Sequence, residues 1–363
     1  MTESMRTLHV VEAPGGGVGA FVNMLASELE NQFGTESILV VAPDQQSEVF
    51  KDVSPSRLLL FSAAKRSSIK SRIQFAKAIV VACRAHQPNI IHLHSSFAGG
   101  VGRLLKAMGL VRGKVVYCAH GWAFSMKVSA GKRKILEIAE RFLSLFCDRI
   151  IAISEHDYKE ARKVGISQEL LRLVKNGVKA ESHTPLAAEW STSQLRVLFA
   201  GRLDRQKGFD VLVNAIGDAA ADFSVRVAGA ALAGQPVEVD TPEHFQMLGW
   251  LSSSELTAQI RACDVLVVPS RWEGFGLIAV EAMRAGKAVV ASDVGGLREI
   301  VCSGRTGLLV SPENSGSLRA ALYDLDRVRC EIMGQAGHER FCSEFQFQRV
   351  VEQTVAVYRE VLG

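Results

Sequence analysis

The chain has 363 residues, 48% of them hydrophobic and 22% charged, which is ordinary for a soluble globular protein and long enough for two domains with separate cores. No apolar run approaches the roughly 18 residues of a membrane-spanning helix, and the first residues lack the pattern of a secretory signal. Seven scattered cysteines without a C-x-x-C pair indicate reduced thiols and a cytoplasmic protein.

Positive charge is concentrated in one part of the chain. The net charge is only +4, yet residues 53–136 hold 15 Lys and Arg and no Asp or Glu. Solvated surfaces normally mix both signs, so this interval predicts an anionic partner. An anionic membrane surface and a phosphorylated substrate both fit, as does a chance run of bases. Nucleic acid is disfavoured because the region matches no known nucleic-acid-binding module.

Short apolar segments alternate with amphipathic segments along the chain, which predicts parallel strands covered by helices on both faces. The first series of strands is predicted at 7–13, 37–43, 58–62, 90–94, 114–120, 149–154 and 171–177. A polar segment with Pro and Ser at 179–194 is the predicted linker. The second series is predicted at 195–202, 223–230, 245–250, 264–270, 287–292 and 307–312.

This pattern predicts an α/β protein with two doubly wound halves in tandem. We place the first domain at 1–185 and the second at 186–348. The last segment, about 349–363, puts Val351, Val355, Tyr358 and Leu362 on one face of a helix. That helix must bury its apolar face on one of the two halves, and packing back on the first domain is one of the two possibilities.

The first candidate anion site is the stretch HVVEAPGGGVGAF at residues 9–21. Glycines let the backbone approach a phosphate closely, and the helix that follows points its free N–H groups at the anion. Gly15, Gly17 and Ala20 also fit the dinucleotide fingerprint, with Asp44 at the end of the next strand. A nicotinamide-dependent oxidoreductase, a sugar-nucleotide enzyme and a plain tight turn therefore all stay open.

The second candidate site follows the predicted strand at 264–270, because ligands of parallel sheets collect at the carboxyl ends of strands. Glu273 lies in the loop, Glu281 lies in the next helix, and the amides of Phe275, Gly276 and Leu277 start that helix. Carboxylates accept hydrogen bonds from paired sugar hydroxyls, so these residues suit a ligand that is both phosphorylated and hydroxylated. After the strand at 195–202, Arg202 and Lys207 are predicted to contact a diphosphate.

The histidines give a weaker signal. His120 ends a predicted strand and could bind a substrate hydroxyl or be a histidine of the core. His92 and His94 alternate along a strand, are expected to face opposite sides, and lack a third ligand at a sensible spacing. We therefore predict no metal site, and no motif of a covalent nucleophile is present.

Taken together, six motifs of the second half resemble one known family. In chain order they are GRLDRQKGFD, LGWLSSSEL, ACDVLVVPS, EGFGLIAVE, SDVGGLREIV and GRTGLLV. They resemble the retaining glycosyltransferases of family 4, which have the GT-B fold. The resemblance is dense over 195–312 and covers the first half more loosely, through GGGVG, AHGW, IAIS and KNGV.

The resemblance implies two Rossmann-like domains facing a central cleft, with a nucleotide-sugar donor held mostly by the second. Carried over by position, the catalytic set is Glu273, Lys207, Arg202 and His120. The donor-binding set is Gly16, Gly17, Gly249, Trp250, Gly274, Phe275, Gly276, Leu277 and Glu281. Within these sets, Glu281 is expected to bind the ribose, Glu273 and His120 the donor sugar, and the backbone around Gly249 and Trp250 the base.

The function that the resemblance implies is a retaining hexosyltransferase without cofactor or metal. The donor is expected to be a UDP-sugar, with a GDP-sugar as the other option, and the acceptor a glycan or polyprenyl-diphosphate-linked hydroxyl. Exopolysaccharide or lipopolysaccharide synthesis is the expected setting, in the cytoplasm and at the surface of the inner membrane through the basic 53–136 region. The alternatives are an NAD-dependent oxidoreductase and an epimerase or phosphorylase with the same fold.

Overall fold

The protein is described here by a computed structural model that covers residues 5–62, 68–181, 186–217, 219–231 and 239–363. The chain forms two compact units, one of Met1–Lys175 with Gln348–Gly363 and one of Asn176–Phe347. The first unit thus ends ten residues before the predicted boundary at 185, which itself lies outside the described residues. The described part of the predicted linker belongs to the second unit, where Trp190 is buried and donates to the hydroxyl of Ser224 at 2.9 Å.

The first unit contains a seven-stranded parallel sheet, and all seven strands expected from the sequence form. They are β1 (Thr7–Val11), β2 (Ile38–Pro43), β3 (Leu58–Phe61), β4 (Ile90–His94), β5 (Lys114–Cys118), β6 (Arg149–Ala152) and β7 (Leu171–Leu173). Their order in the sheet is β3-β2-β1-β4-β5-β6-β7. Buried residues fill β1, β2 and β4 without alternation, as expected for strands that helices cover on both faces.

The helices of the first unit connect these strands, and one of them comes from the end of the chain. They are α1 (Gly17–Phe33), α2 (Ile69–His86), α3 (Ser96–Ala107), α4 (Ala130–Leu143) and α5 (Glu155–Lys163), followed at the C-terminus by α12 (Phe347–Leu362). On α12, Val351, Val355 and Tyr358 are buried, whereas Glu360 accepts hydrogen bonds from Arg149 and Arg172 of the same unit. The apolar face noted in the sequence is therefore buried in the first unit.

The second unit contains a six-stranded parallel sheet in the order β10-β9-β8-β11-β12-β13, and again every expected strand forms. The strands are β8 (Leu195–Ala200), β9 (Phe223–Ala228), β10 (Phe245–Gly249), β11 (Val265–Val268), β12 (Ala288–Ser292) and β13 (Gly307–Val310). The helices are α6 (Phe209–Ile216), α7 (Ser253–Ala262), α8 (Leu277–Arg284), α9 (Leu297–Ile300), α10 (Ser315–Tyr323) and α11 (Arg327–Arg340).

The strand order fixes where a ligand can enter each sheet. In the first sheet the direction of winding reverses between β1 and β4, and in the second it reverses between β8 and β11. At such a switch point the two loops after the carboxyl ends of the strands diverge and leave a crevice. The glycine stretch follows β1, and the loops with Arg202 and Glu273 follow β8 and β11.

The cysteines form no disulfide among the described residues. All seven cysteines are free thiols, and burial raises the pKa of Cys83, Cys118, Cys147, Cys263 and Cys330 to about 12. Over the part of the chain that the structure describes, no helix is both long and apolar enough to cross a bilayer.

Candidate functional site

A lysine and a glutamate meet at the switch point of the second sheet. Lys207 follows β8 and Glu273 follows β11, and Lys207 Nζ lies 2.6 Å from Glu273 Oε2. The two side chains are only 22% and 12% exposed. Ser270 also donates its hydroxyl to the same carboxylate oxygen at 3.3 Å. The pair therefore places one cation and one anion side by side, half-buried, at the edge where a ligand of this sheet would bind.

Arg202 is oriented by acceptors of its own loop. Its Nε donates to Asp204 Oδ2 at 2.7 Å, and its terminal nitrogen donates to Gln206 Oε1 at 2.9 Å. Asp204 is mostly buried, and its other oxygen accepts from the backbone N–H of Lys207 at 3.0 Å. Asp204 thus positions both cations of the site. No role for Asp204 was predicted from the sequence, although it lies within the GRLDRQKGFD motif.

Glycines allow the loops of this site to approach each other at backbone distance. Gly208 has φ +69°, and a Cβ there would lie 2.0 Å from the carbonyl oxygen of Pro269. Gly295, after β12, has φ +49°, and a Cβ there would lie 1.8 Å from the carbonyl oxygen of Glu273. Both positions exclude any other residue, so the backbone that carries Glu273 is fixed from two sides. Gly295 lies in the quoted SDVGGLREIV motif and also had no assigned role.

The helix that follows Glu273 begins at the predicted glycine. Gly276 is the N-cap of α8 with φ +106°, and no side chain caps it. Phe275 is buried, with its ring 6.0 Å from that of Phe345, and anchors this turn. The amides of the first turn, which begins at Leu277, carry the positive end of the helix dipole.

Glu281 lies on the same helix, about 6 Å along its axis from Leu277. Burial raises the pKa of its carboxyl group, and the nearby Arg284 opposes that shift. No hydrogen bond joins Glu281 to Lys207, Arg202 or Glu273 among the described residues, so only its position on α8 relates it to them.

Gly249 and Trp250 join the same edge of the sheet through backbone contacts. Gly249 ends β10 and accepts from the N–H of Gly229 at 2.7 Å. A Cβ at Gly229 would lie 1.8 Å from the carbonyl oxygen of Gly201, the residue before Arg202. Trp250 is 65% exposed. The backbones at the carboxyl ends of β10, β9 and β8 are therefore closely packed, with an exposed indole beside β10.

In the first unit the glycine stretch opens α1. Gly16 is the N-cap with φ +79° and Gly17 is the first helical residue. A Cβ at Gly19 would lie 1.9 Å from the carbonyl oxygen of Pro14, so this turn also requires glycine. Asp44, which the dinucleotide interpretation needs, is exposed after β2 and accepts from the N–H of Gln45 at 2.8 Å.

His120 follows β5 and lies beside that helix. Its ring packs edge-to-face with the ring of Phe21 of α1, with 4.9 Å between the ring centroids. His120 has φ +54°, a left-handed conformation that costs of order 1–3 kcal/mol for a residue other than glycine and is typical of functional positions. Its Nε2 lies 3.0 Å from Nδ1 of His94.

The expectation that His92 and His94 face opposite sides is wrong. Residues two apart on a strand point to the same face, and the ring centroids of these two histidines lie 4.0 Å apart. With His9 of the neighbouring strand they form a buried group whose ring nitrogens could hold a metal ion. His9 thus supplies the third ligand that the sequence did not indicate, and the reasons given for predicting no metal site fail.

The carboxylates of an Asp-x-Asp triplet can bind divalent cations, and the sequence has one such triplet at Asp324–Asp326. Both of its aspartates have partners within the protein. Asp326 caps α11 by accepting from the N–H of Arg329 at 2.7 Å, and Asp324 pairs with the side chain of Arg329, also at 2.7 Å. The triplet is not joined to the site by any hydrogen bond among the described residues.

Comparisons with known proteins agree with both halves of the chain. Residues 15–182 match Glycosyltransferase Family 4, and residues 187–339 match Glycosyl transferases group 1. An uncharacterized 41.2 kDa protein in the cps region of Klebsiella pneumoniae is 33% identical over 86% of this chain and 88% of its own length.

Solved structures of similar shape cover almost the whole chain. Sucrose-phosphate synthase from Thermosynechococcus elongatus has a TM-score of 0.83 at 21% identity, over 98% of this chain and 99% of its own. HepE from Anabaena, in complex with UDP and glucose, has a TM-score of 0.78 at 20% identity, over 98% of this chain and 99% of its own. These likenesses confirm the predicted GT-B fold class, with a Rossmann-like parallel sheet in each unit.

Proposed function

The chain belongs to family 4 of the glycosyltransferases, and from this premise we propose that it transfers a sugar from a nucleotide-diphosphate sugar to a hydroxyl of a glycan or lipid-linked acceptor. The observation that carries the proposal is the Lys207–Glu273 pair at the switch point of the second sheet. Arg202 lies in the loop that carries Lys207, and α8 begins four residues after Glu273.

We propose that Lys207, Arg202 and the amides that start α8 bind the diphosphate. In the free protein both cations already have a carboxylate partner. A diphosphate carries more negative charge and more acceptor oxygens than one carboxylate, so it competes for Lys207 Nζ. Glu273 then becomes free to accept hydrogen bonds from hydroxyls of the donor sugar. Glu281 is assigned to the ribose by its position in the family motif, and its carboxylate has no competing hydrogen bond among the described residues.

The proposed chemistry is substitution on the front face of the donor sugar with retention. The bond from the anomeric carbon to the diphosphate oxygen breaks while the acceptor oxygen attacks from the same side, and the departing phosphate takes the acceptor proton. Most of the rate then comes from stabilising the leaving diphosphate electrostatically. We propose that no metal is required, since two cations and a helix N-terminus supply positive charge at that oxygen.

UDP is the favoured nucleotide. HepE, which is similar in fold, has been solved with UDP and glucose and with UDP-glucose. The cps region in which the Klebsiella relative is encoded supports a role in cell-surface polysaccharide synthesis.

The test is a thermal-shift panel of UDP, GDP and NAD, followed by assays of nucleotide-sugar consumption with and without EDTA. The proposal predicts stabilisation by one nucleoside diphosphate, a new glycosidic bond of retained configuration by NMR, and activity that EDTA leaves unchanged. Stabilisation by NAD would favour an oxidoreductase. Turnover without a new glycosidic bond would favour an epimerase.

We also propose that the first unit docks on an anionic membrane through α4 and its neighbours. On α4 the only buried residue is Glu140, while Ile135, Ile138 and Phe142 are 68%, 59% and 55% exposed. Leu145, in the following turn, is 73% exposed. This apolar stripe follows an exposed basic run, Lys132 to Lys134.

A basic helix with an exposed apolar stripe is the pattern of an interfacial helix, in which apolar side chains insert and cations contact anionic headgroups. Three of the basic side chains of 53–136 are already neutralised within the protein. Arg57, Arg103 and Lys114 pair with acidic residues from outside this region, so we do not assign them to headgroup binding. Positions 63–67 of that region lie outside the described residues.

Liposome flotation tests the docking proposal. Ile138→Glu should abolish binding to anionic vesicles, whereas Ile332→Glu, at a similarly exposed residue of α11 in the second unit, should not. Equal binding of all three proteins, or equal binding to neutral vesicles, would contradict the proposal.

A further inference from the structure

Four histidines of the first unit are joined around the carboxyl ends of its central strands. His9 lies on β1, His92 and His94 lie on β4, and His120 follows β5. The ring of His94 is the centre of a chain: its Nε2 lies 3.1 Å from His9 Nδ1, and its Nδ1 lies 3.0 Å from His120 Nε2. His92 Nδ1 instead lies 2.6 Å from the hydroxyl of Tyr358. His9 and His94 are completely buried, whereas His120 is half-buried.

Each ring of this chain carries a single proton at neutral pH. Burial lowers the pKa of His9 to about 3 and that of His120 to about 4, and it lowers the pKa of His94 well below its usual range. A neutral imidazole has one donor and one acceptor nitrogen. Two hydrogen bonds through the two nitrogens of His94 must therefore run in the same direction along the whole chain.

The surroundings of His9, at the inner end of this row of histidines, decide in which direction the hydrogen bonds are donated. His9 Nε2 is buried and has no hydrogen-bond partner among the described residues. If His94 donated to His9, that Nε2 would carry an N–H group buried without an acceptor, which is rare in native proteins. If His9 donates from Nδ1, Nε2 is only a bare lone pair. His94 then donates from Nδ1 to His120 Nε2, and His120 must carry its proton on Nδ1.

At the outer end of this row of histidines, Nδ1 of His120 is available to bind a ligand. His120 Nδ1 makes no hydrogen bond to a described residue and is not among the buried unpaired atoms. The ring itself is held by the contact with His94 and by edge-to-face packing with Phe21, on the helix that the glycine stretch opens.

We infer that His94 and His9 are positioning residues that lock His120 in one tautomer and present its Nδ1–H as a hydrogen-bond donor to an oxygen of the bound sugar. The sugar contact rests on the proposed function, whereas the tautomer does not. Sequence reasoning missed this role because it placed His92 and His94 on opposite faces.

The same histidines could in principle bind a metal ion, but the hydrogen bonds argue against it. A metal at His9, His92 and His94 needs bare nitrogens that converge, whereas both nitrogens of His94 are engaged with other rings. Binding would have to break at least one of these hydrogen bonds. We therefore infer a hydrogen-bonded group of histidines and not a metal centre.

Two substitutions at one position separate positioning from packing. The side-chain amide of Asn reaches the place of His Nδ1, so His94→Asn keeps a donor to His120 and loses His9. The amide of Gln reaches the place of Nε2, so His94→Gln keeps a partner for His9 and loses His120. We expect His94→Gln to lower kcat about tenfold to a hundredfold, as for a misplaced catalytic group, and His94→Asn to retain most of it. Equal losses in both variants would overturn the inference.

A ligand-free measurement tests the tautomer independently of activity. In ¹⁵N-histidine NMR of the full-length wild-type protein, His120 should show a protonated Nδ1 and a bare Nε2, and His94→Gln should give a mixture of tautomers. A protonated Nε2 on wild-type His120 would overturn the inference even in an active enzyme. Failure of every donor to react would instead count against the proposed function alone. Stoichiometric binding of Co²⁺, seen by its visible absorption and lost in His92→Gln, would replace the chain with a metal centre.

Discussion

Replacing Lys207 by alanine separates the proposed catalytic role of the Lys207–Glu273 pair from its contribution to stability. The variant removes a cation 2.6 Å from the carboxylate of Glu273 and leaves that half-buried carboxylate with Ser270 as its remaining donor. Leaving a buried polar group underpaired costs about 1–3 kcal/mol. Because the lysine side chain is 22% exposed and partly screened, we expect the lower end of that range. At about 2–4 °C per kcal/mol, Tm should then fall by a few degrees.

The catalytic effect should be much larger than the effect on stability. Removing one preorganised donor to a developing charge costs about 2.7–4 kcal/mol, or about 10²–10³ in kcat. We therefore expect kcat of Lys207→Ala to fall at least about a hundredfold in steady-state assays, while calorimetry shows a folded protein.

Arg196→Ala is the matched control for this prediction. Arg196 lies at the amino end of β8, whereas Lys207 follows the carboxyl end of that strand. Arg196 pairs with Asp264 at 2.5 Å. Its loss should lower Tm by a similar or larger amount and leave kcat of the folded protein unchanged. The reasoning is refuted if Lys207→Ala turns over at nearly the normal rate, or if Arg196→Ala loses as much activity.

Three further predictions concern other residues. Because burial raises the pKa of the Glu281 carboxyl, the carboxylate becomes protonated at a higher pH than usual, and UDP affinity measured by calorimetry should rise with pH through that pKa. Glu281→Gln should bind UDP more weakly and without this pH dependence. The same pH dependence in the wild type and the variant would contradict the ribose assignment. Gly295→Ala should abolish activity and lower Tm, because its Cβ would clash with the carbonyl oxygen of Glu273. Gly304 also has a positive φ but has open space around its Cβ position, so Gly304→Ala should lower stability by only about 1–2 kcal/mol and leave activity unchanged. Similar losses of activity in the two variants would show that the close approach to Glu273 is not the cause. The carboxylate of Glu140 lies 2.8 Å from the buried guanidinium of Arg103, so Glu140→Ala should lower the free energy of unfolding of the first unit by about 3–5 kcal/mol in urea. A loss below about 1 kcal/mol would show that this ion pair does not stabilise the unit.

Much of the fold could be predicted from the sequence because parallel strands leave a strong local pattern. Most strands of both sheets are apolar runs, and all of the predicted strands form where the sequence places them, although most end one to four residues earlier than predicted. The ends differ because the terminal residues of each run, such as Arg202 after β8, have already left the ladder to enter a loop of the site.

The relations between distant segments were harder to predict. Gly295 matters because its backbone contacts that of Glu273, and nothing in the local pattern of SDVGG indicates that partner. Likewise, the pairing of His94 with His9 depends on β1 and β4 being neighbours, a consequence of strand order and not of periodicity. The exposed stripe on α4 reads in the sequence as an ordinary amphipathic helix, whose apolar face would be assigned to the core.

The central claim is that the switch point of the second sheet binds a diphosphate. The most direct measurement is isothermal titration of the best-stabilising nucleoside diphosphate, most simply UDP, against the corresponding nucleoside, with the wild-type protein and Lys207→Ala. Charge-assisted hydrogen bonds contribute about 1.5–3 kcal/mol each, so two cations predict affinity for the diphosphate higher by about 10²–10⁴, with part of this difference lost in the variant. Equal affinity for nucleoside and diphosphate, or a difference that Lys207→Ala leaves intact, would contradict the account.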